Sequence, residues 1–350
     1  MRFLSFLSGA ALVLAGCSNG LNILMSNDDG FGSGNLRELY KMLRADGHNV
    51  YIVAPATQQS SQGGRSVFTD EPMLTTNSIY DLVKAGAPSL GTDPIDTHIW
   101  YYNGTPAACV FVGLDYVLPN FADFSVPDLV VTGPNFGTNL GPFVWTLSGT
   151  AGAAYAATGR GIPAIALSGS NNAVPYFLVK NESSPAYLVA SVANRVVKSI
   201  INSVPVSVLK RDVGETRTIL PLGYGLNVNI PPLFADNYTN IQVVHTRMTG
   251  DADTNEAVPN PDKPGTFTWA NIEPLAPGVN ACINGNCTLP GETYVVNTLG
   301  LVSLSLYTVD YTAPESEETK EVVKWFTTGN VFTTSVKAMP IHKHSRRFTA

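Results

Sequence analysis

The first half of the chain alternates between short apolar runs and amphipathic stretches. An apolar run at 22–26 predicts a strand, and the apolar residues over 35–45 recur at helical spacing, which predicts a helix with one buried face. A second apolar run at 50–55 predicts another strand. Two strands joined through a helix favour a parallel sheet with right-handed crossovers.

Further elements continue this alternation and then change in character. Strands are predicted at 128–133 and 162–168, and helices at 149–158 and 185–204. After residue 205, loops rich in proline and glycine separate β-branched runs at 242–245, 293–297 and 301–309, before a last helix at 315–326. We therefore predict an α/β fold: a Rossmann-like, doubly wound, mostly parallel sheet with a β-rich C-terminal extension.

The same pattern divides the chain into four predicted segments. They are a signal peptide at 1–20, a Rossmann-like core at 21–204, a β-rich extension or oligomerisation arm at 205–335 and a disordered tail at 336–350. The leader carries one arginine and an apolar run too short to span a bilayer, so we expect secretion and no membrane span. The alternative is a bacterial lipoprotein anchored at Cys17, because Leu14-Ala15-Gly16-Cys17 resembles a lipoprotein cleavage box.

Composition narrows the range of partners. Charged residues make up 14% of the chain, the formal net charge is −6 at pH 7, and no basic block precedes the extreme C-terminus. A nucleic-acid polymer is therefore not expected as a partner. A small phosphorylated molecule is compatible with this charge, because a bound metal ion supplies positive charge locally.

The cysteines and the glycosylation sequons agree with secretion. In an oxidising compartment we expect Cys282 and Cys287 to form a local disulfide, and Cys109 to be a buried small hydrophobe. Four Asn-x-Ser/Thr sequons predict a glycoprotein. They lie at Asn103, Asn181, Asn237 and Asn286.

Two adjacent carboxylates, Asp28 and Asp29, come directly after the first predicted strand. Open α/β sheets bind their ligands at the carboxyl ends of strands. Paired carboxylates form a hard, anionic oxygen cluster that suits Mg²⁺ or Mn²⁺. For an isolated Asp-Asp-Gly, a helix cap and a turn residue are the structural alternative. After a strand, the pair predicts a metal-dependent enzyme.

A second polar feature, Ser148-Gly149-Thr150, precedes a helix rich in alanine and glycine. Hydroxyl groups and unpaired backbone N–H groups at a helix start bind anions. We therefore expect these three residues to contact a phosphate group. Ser148 is also the predicted N-cap, and one residue can serve both purposes.

Several motifs occur together in one order along the chain. They are Asn27-Asp28-Asp29-Gly30, Val53-Ala54-Pro55 with Ser60, Gly104-Thr105-Pro106, Thr132-Gly133-Pro134-Asn135-Phe136-Gly137 with Asn139-Leu140-Gly141, and Ser148-Gly149-Thr150. In this order they resemble the SurE-type survival-protein phosphatases. Asn227-Val228-Asn229 and Gly300-Leu301-Val302 continue the resemblance, which covers residues 21 to 326.

This resemblance implies a metal-dependent phosphomonoesterase with a Rossmann-like core that acts on nucleoside monophosphates. It implies a homodimer or homotetramer in which a C-terminal arm is exchanged. It also implies that Asp28 and Asp29 bind the divalent metal ion together with Ser60 and Asn135. Ser61 is the rival of Ser60 for this position, and Pro134 stands where the family usually has isoleucine.

The same resemblance suggests where the substrate binds and how it reacts. Asn139 and Thr105 are expected as phosphate or substrate contacts, although a purely structural role for Thr105 is equally compatible with its position before Pro106. We expect metal-activated water to attack a small phosphomonoester, with Asp28 or Asp29 as the base. The alternative is a secreted, non-catalytic ligand-binding protein on the same scaffold. Among enzymes, a strict 5′/3′-nucleotidase and a broad acid phosphatase both fit.

Overall fold

A nine-stranded sheet is the centre of the fold. The structure, a computed structural model, describes residues 20–205 and 219–329. The strands in these residues are β1 (Asn22–Ser26), β2 (Asn49–Pro55), β3 (Leu90–Thr92), β4 (Ile99–Tyr102), β5 (Leu129–Phe136), β6 (Ala164–Gly169), β7 (Tyr224–Ile230), β8 (Val243–Thr246), β9 (Asn255–Pro259), β10 (Phe267–Asn271) and β11 (Val302–Thr308). The order in the large sheet is β3-β4-β2-β1-β5-β6-β7-β11-β8, and β9 and β10 form a separate hairpin.

Helices connect the parallel strands and cover the sheet. Those in the described residues are α1 (Gly34–Ala45), α2 (Pro106–Val112), α3 (Leu118–Phe121), α4 (Gly141–Leu147), α5 (Gly149–Gly159), α6 (Pro185–Ser203), α7 (Pro277–Asn280) and α8 (Glu317–Thr328). Short helical turns lie at Ile79–Asp81, Gly113–Val117, Tyr176–Leu178 and Tyr294–Thr298.

The connectivity of the sheet creates a switch point between β1 and β5. β1 pairs in parallel with β2 on one side and with β5 on the other. The chain builds the sheet outward from β1 to β2 and β4, and then returns to β5 on the opposite side. In the described sheet, the two antiparallel pairs are β3 with β4 and β11 with β7, and the other neighbouring strands run parallel. The predicted doubly wound, mostly parallel α/β fold with added C-terminal strands is confirmed, and a ligand site is expected where β1 and β5 end.

Alternation along β1 explains how both faces of the sheet are covered. Ile23 and Met25 belong to the apolar layer that contains residues of α1 and α6, whereas Leu24 belongs to the layer that contains residues of α2 and α5. Successive side chains of a strand point to opposite faces, so a continuously apolar strand is buried on both. This burial leaves only the strand ends free to present polar side chains.

One predicted β-branched segment has a different structure. The sequence predicts a β-branched run at 293–297 within the β-rich extension, but Tyr294–Thr298 form a single helical turn. The chain turns because Val295 N–H donates to the carbonyl of Gly291, which buries Val295 and Val296. Burial of this pair in the core outweighs the strand preference of β-branched residues.

The segment after residue 205 extends the same sheet, since β7, β11 and β8 are hydrogen-bonded beyond β6. One compact unit ends at Val309, and a second unit begins at Asp310 and contains α8. The predicted boundaries at residues 20, 204 and 335 stay predictions. The predicted tail, Cys17 and all but the last residue of the signal peptide lie outside the described residues.

Other expectations concern covalent features and the surface. Cys282 and Cys287 form the expected disulfide, and Cys109 is buried. Within the described ranges, no helix has the length and apolar character needed to cross a bilayer. Of the four sequon asparagines only Asn103 is half-buried, and the other three are exposed; glycosylation stays a prediction.

The close packing of α5 against the backbone of Gly63 gives a test of the fold. Gly152→Ala is expected to destabilise the protein by about 2 kcal/mol, as overpacking does, because the added Cβ would lie 2.0 Å from the carbonyl oxygen of Gly63. Gly159→Ala in the same helix is the matched control, because a Cβ there meets no described atom within 4 Å. Urea unfolding of both variants measures the difference, and equal midpoints would contradict this packing.

Candidate metal centre

Asp28 lies at the end of β1, where the first turn of α5 holds its carboxylate. The Thr150 N–H donates to Asp28 Oδ2 at 3.1 Å, and Thr150 Oγ1 donates to Asp28 Oδ1 at 2.5 Å. Gly149 makes this approach possible, because a Cβ there would lie 2.8 Å from Asp28 Cβ. A helix start favours a negative charge through its free N–H groups and its dipole. Asp28 is therefore fixed in position as well as buried.

Asp29 is tied to the neighbouring strand. The Phe136 N–H donates to Asp29 Oδ2 at 2.8 Å, and the Gln58 side chain also hydrogen-bonds to Asp29. Phe136 directly follows Asn135 at the end of β5, so this bond brings the carboxylate pair next to Asn135. The structure thus brings three of the predicted ligands together at the switch point of the sheet.

Asn135 has a buried side-chain oxygen of a kind that suits a cation. Its Nδ2 donates to the Gly137 carbonyl at 2.8 Å, which fixes the orientation of the amide. Its buried Oδ1 has no hydrogen-bond partner in the described part of the chain. A buried acceptor without a partner costs free energy unless a cation or water satisfies it. Two carboxylates and an amide oxygen are ligands that Mg²⁺ and Mn²⁺ prefer. The residues present therefore fit a divalent ion.

The site depends on this amide oxygen, because carboxylates alone do not surround an ion. In residues 20–205 and 219–329, no group of three or more His, Cys, Asp or Glu side chains is arranged to hold a metal.

The electrostatics of the pair are unfavourable without a cation. Burial raises the pKa of the Asp28 carboxyl above its usual range. Burial and, after it, the charge of Asp28 raise the pKa of Asp29 to about 7. Ionising both of two adjacent buried carboxylates costs free energy. The metal-free pair therefore binds a proton more readily than an exposed aspartate does.

Ser60 is close to this centre but does not touch the carboxylates through any described hydrogen bond. Its Oγ accepts a hydrogen bond from Gln58 Nε2 at 2.5 Å, and Gln58 is the residue that contacts Asp29. The rival Ser61 has a left-handed backbone, with φ of 63°. The Gln59 N–H donates to the Asp28 carbonyl at 2.7 Å, so the loop is anchored at the site. The ligand role of Ser60 stays a prediction.

Gly149 and Thr150 bind an anion that is part of the protein, the carboxylate of Asp28, and Ser148 caps the helix. The donors of Thr150 are directed at the carboxylate of Asp28, and Ser148 Oγ accepts from the Ala151 N–H at 3.1 Å as the N-cap of α5. The helix start thus positions a predicted metal ligand. Direct contact of these residues with a phosphate stays a prediction.

Thr105 ties a loop to the start of α2 and lines a small cleft. Its Oγ1 donates to the Arg65 carbonyl at 2.5 Å and accepts from the Val67 N–H at 3.0 Å. The cleft has a volume of about 210 Å³. It is lined by Gln59, Val67, Thr69, Asn103, Gly104 and Thr105. Because Gln59 is also bonded to Asp28, this cleft adjoins the candidate metal centre.

Asn139 lies in the loop between β5 and α4, where its own polar groups are occupied. Its Nδ2 donates to Ser168 Oγ at 2.8 Å, and its N–H donates to Asn229 Oδ1 at 2.7 Å. Asn227 Nδ2 donates to the Asn139 carbonyl at 3.1 Å. The structure therefore shows Asn139 fixing the loop after Asn135, and its predicted phosphate contact stays a prediction.

Glu292 completes this polar network and was not identified from the sequence. It is fully buried, and its carboxylate accepts hydrogen bonds from the Gly141 N–H at 2.7 Å and from Ser305 Oγ at 2.7 Å. Burial raises the pKa of Glu292 to about 7. The sequence of β7 does indicate a buried polar network, because its asparagines alternate with apolar residues and therefore share one face of a buried strand. Gln58, in a polar loop, gave no such signal.

A doubly wound α/β sheet with paired carboxylates and an amide oxygen at its switch point defines a class of ligand-binding α/β protein. Within this class the family is settled by comparison. The family model described as survival protein SurE matches residues 23–254, so the chain belongs to the SurE family.

Similar proteins agree with this assignment. The chain is 40% identical over 299 residues to a protein of Yarrowia lipolytica named acid phosphatase, an alignment that covers 83% of this chain and 80% of that one. It is 39% identical over 173 residues to 5′-nucleotidase SurE 2 of Chlamydia caviae, covering 49% of this chain and 54% of the relative. The crystal structure of the SurE protein from Aquifex aeolicus has the same fold, with a TM-score of 0.57 and 24% identity over 87% of this chain and 99% of that one.

The raised pKa values predict how the metal-free protein responds to pH. An acid with a raised pKa in the folded state binds protons that the unfolded chain has lost, so stability falls as the pH rises. For Asp29 this loss of stability spans the pH range from 3.8 to about 7, and for Glu292 it spans the pH range from 4.5 to about 7. We expect the melting temperature of chelator-treated protein to fall as the pH rises from about 4 to about 7.

Two variants test whether Asp29 causes this dependence of the melting temperature on pH. Asp29→Asn should flatten it, whereas Asp115→Asn, which changes an exposed acid paired with Arg160, should not. Mn²⁺ should raise the melting temperature more at the higher pH, because there it displaces no proton. A melting temperature that is independent of pH in chelator would contradict the burial of ionisable carboxylates at this site.

Proposed function

We propose that this chain is a divalent-metal-dependent phosphomonoesterase that hydrolyses nucleoside 5′- and 3′-monophosphates and other small organic phosphates. The chain is a hydrolase of phosphoric monoester bonds, the class to which relatives named acid phosphatase and 5′-nucleotidase belong. The observation that carries the metal dependence is the buried Oδ1 of Asn135, which has no partner in the described residues and lies beside a carboxylate pair. A net charge of −6 leaves the metal as the main source of positive charge for a phosphate.

The chain's own residues supply the binding of the ion. Asp28, Asp29 and Asn135 would hold a Mg²⁺ or Mn²⁺ ion, with Ser60 as the proposed further ligand. When bound, the ion supplies positive charge that stabilises the phosphoryl group and makes nearby water more acidic. Asn135 keeps its oxygen directed into the site because its Nδ2 is bonded to Gly137.

The two aspartates have different surroundings and therefore different proposed roles. Both oxygens of Asp28 accept hydrogen bonds from Thr150, which holds the carboxylate in place and favours its ionised form. Asp29 accepts one backbone N–H, from Phe136, together with the flexible Gln58 side chain. Asp29 is therefore the better placed to accept a proton from the attacking water, and Asp28 acts as an anchor.

Secretion and oligomerisation are further parts of the proposal. The exposed sequons and the disulfide between Cys282 and Cys287 support an oxidising, extracellular compartment. Lipoprotein anchoring at Cys17 is the alternative. A homodimer or homotetramer is proposed from the resemblance to the SurE-type phosphatases, and light scattering of the purified protein tests it.

The main test is phosphate release from 5′-AMP, 3′-AMP and an aryl phosphate, with Mg²⁺, with Mn²⁺ and in chelator. Asp28→Asn should lower kcat/KM at least about 100-fold on every substrate, because it removes a ligand and breaks the contact with Thr150. Asp115→Asn is the control for loss of an exposed carboxylate. The relative rates separate a nucleotidase from a broad phosphatase. Release that persists in chelator, or in Asp28→Asn, would contradict the proposed centre, and no release at all would favour a non-catalytic binding protein.

A further inference from the structure

A fully buried acid, Glu292, lies against the ligand loop, residues 137–141, which joins β5 to α4. Glu292 Oε1 accepts the Gly141 N–H at 2.7 Å, at the end of this loop. Asn227 Nδ2 donates to Glu292 Oε2 at 3.2 Å and to the Asn139 carbonyl at 3.1 Å. One carboxylate therefore contacts the ligand loop both directly and through the amide of Asn227.

The ligand loop in turn fixes the amide of Asn135. Asn135 Nδ2 donates to the Gly137 carbonyl at 2.8 Å, so the direction of Asn135 Oδ1 depends on where Gly137 lies. The Gly137 N–H donates to the carbonyl of Gly169, on β6, at 2.8 Å. The ligand loop is therefore held at its start by β6 and at its end by Glu292.

The pairing of the C-terminal strands does not explain why position 292 holds an acid. The backbone N–H of Glu292 donates to the Arg247 carbonyl at 2.9 Å, and β7 pairs with β11 through backbone groups. A carboxylate in the interior costs free energy, and burial raises the pKa of Glu292 to about 7. An apolar side chain would pack there without this cost. The acid is therefore explained by the donors that it satisfies.

Glu292 can accept several hydrogen bonds at once, which suits it to this position. Besides the bonds from Gly141 and Asn227, Ser305 Oγ donates to Glu292 Oε2 at 2.7 Å. Backbone N–H groups can only donate, whereas the Ser305 hydroxyl can also accept. Ser305 Oγ lies 2.8 Å from Thr246 Oγ1, and either hydroxyl can be the donor. In Glu292→Gln, the side-chain carbonyl would therefore keep the bond from Gly141 while the Ser305 hydroxyl reverses its direction.

We propose that Glu292 is a positioning residue of the candidate metal centre: it holds the ligand loop in place, keeps the Asn135 oxygen directed at the ion and so sets the affinity for the metal. It acts through the loop, because its carboxylate is bonded to Gly141, Asn227 and Ser305. Partners behind metal ligands orient those ligands and tune metal affinity. This inference rests on the proposed metal-dependent function, and it adds a residue that the metal does not contact.

Binding of Mn²⁺ to the purified protein, measured by isothermal titration calorimetry, tests this role. Glu292→Ala should bind Mn²⁺ about 10-fold more weakly than the wild type, the lower end of the range for such partners. The loss is not larger because other hydrogen bonds hold the middle of the ligand loop. Glu292→Gln should keep an affinity close to that of the wild type, since it retains the bond from Gly141. Asn227→Ala should also weaken binding, and it carries the test if Glu292→Ala does not fold.

Asp128→Ala is the matched control for the loss of a buried acid. Asp128 is 1% exposed, and its Oδ2 accepts the Asn22 N–H at 2.8 Å. It directly precedes β5 and so lies at the opposite edge of the sheet from Asn135. This variant should lower the free energy of unfolding, because a buried donor loses its acceptor, and leave the affinity for Mn²⁺ unchanged.

Phosphate release gives a second readout that a purely structural role would not produce. If Glu292 acts through metal affinity, the activity that Glu292→Ala loses at low Mn²⁺ concentration should recover as the concentration is raised. Release that stays low at saturating Mn²⁺ would contradict this mechanism.

Three results of the titrations would overturn the inference. One is an affinity for Mn²⁺ in Glu292→Ala and Asn227→Ala equal to that of the wild type. Another is an equal loss in Asp128→Ala, which would make the effect one of general stability. The third is a loss in Glu292→Gln as large as that in Glu292→Ala, which would mean that the charge acts and not the hold on the loop.

The titrations also separate this inference from the proposed function. If the wild type binds Mn²⁺ but releases no phosphate, the proposed function fails, and weaker binding in Glu292→Ala would still support the role of Glu292. If the wild type binds no Mn²⁺, the candidate metal centre is wrong and the inference fails with it.

Discussion

The structure depends on the burial of two adjacent carboxylates at the end of one strand. Asp28 and Asp29 lose most of their contact with water, and the charge of Asp28 makes the ionisation of Asp29 less favourable. Hydrogen bonds offset this cost: the N–H and hydroxyl of Thr150 donate to Asp28, and the Phe136 N–H and the Gln58 side chain bond to Asp29. These donors are available only because β1 and β5 end side by side and α5 begins at the same edge. The doubly wound topology is therefore the condition for the site.

The strands after residue 205 are connected to this site through the loop that follows Asn135. The loop that follows Asn135 has to hold its amide oxygen in a fixed direction. Asn139, in that loop, is bonded to residues of β6 and β7, and Gly141 is bonded to Glu292. Glu292 is a buried acid, and its ionisation in the protein interior costs free energy. Its network with Asn227 and Ser305 connects the C-terminal strands to the ligand loop.

The sequence predicts those features that arise from neighbours along the chain. The period of apolar residues locates β1, α1 and β2, and the position of Asp28 and Asp29 after a strand indicates a metal site. Contacts between distant residues are not predictable in this way. The donation from Thr150 to Asp28 joins residues 122 positions apart, and the bond from Gly141 to Glu292 joins residues 151 apart. For the same reason, residues 294–298 form a helical turn despite their β-branched composition, since core contacts decide their conformation.

The candidate metal centre and the cleft that adjoins it lie on different kinds of element. Asp28, Asp29 and Asn135, which would hold the metal, lie at strand ends of the sheet, and each has a hydrogen bond to backbone. The cleft beside Thr105 is lined by loop residues, and loops tolerate substitutions far better than the sheet does. Under the proposed function, selectivity for the group attached to the phosphate can therefore change without disturbing the metal ligands. Relatives named acid phosphatase and 5′-nucleotidase within one family are what such a separation would produce.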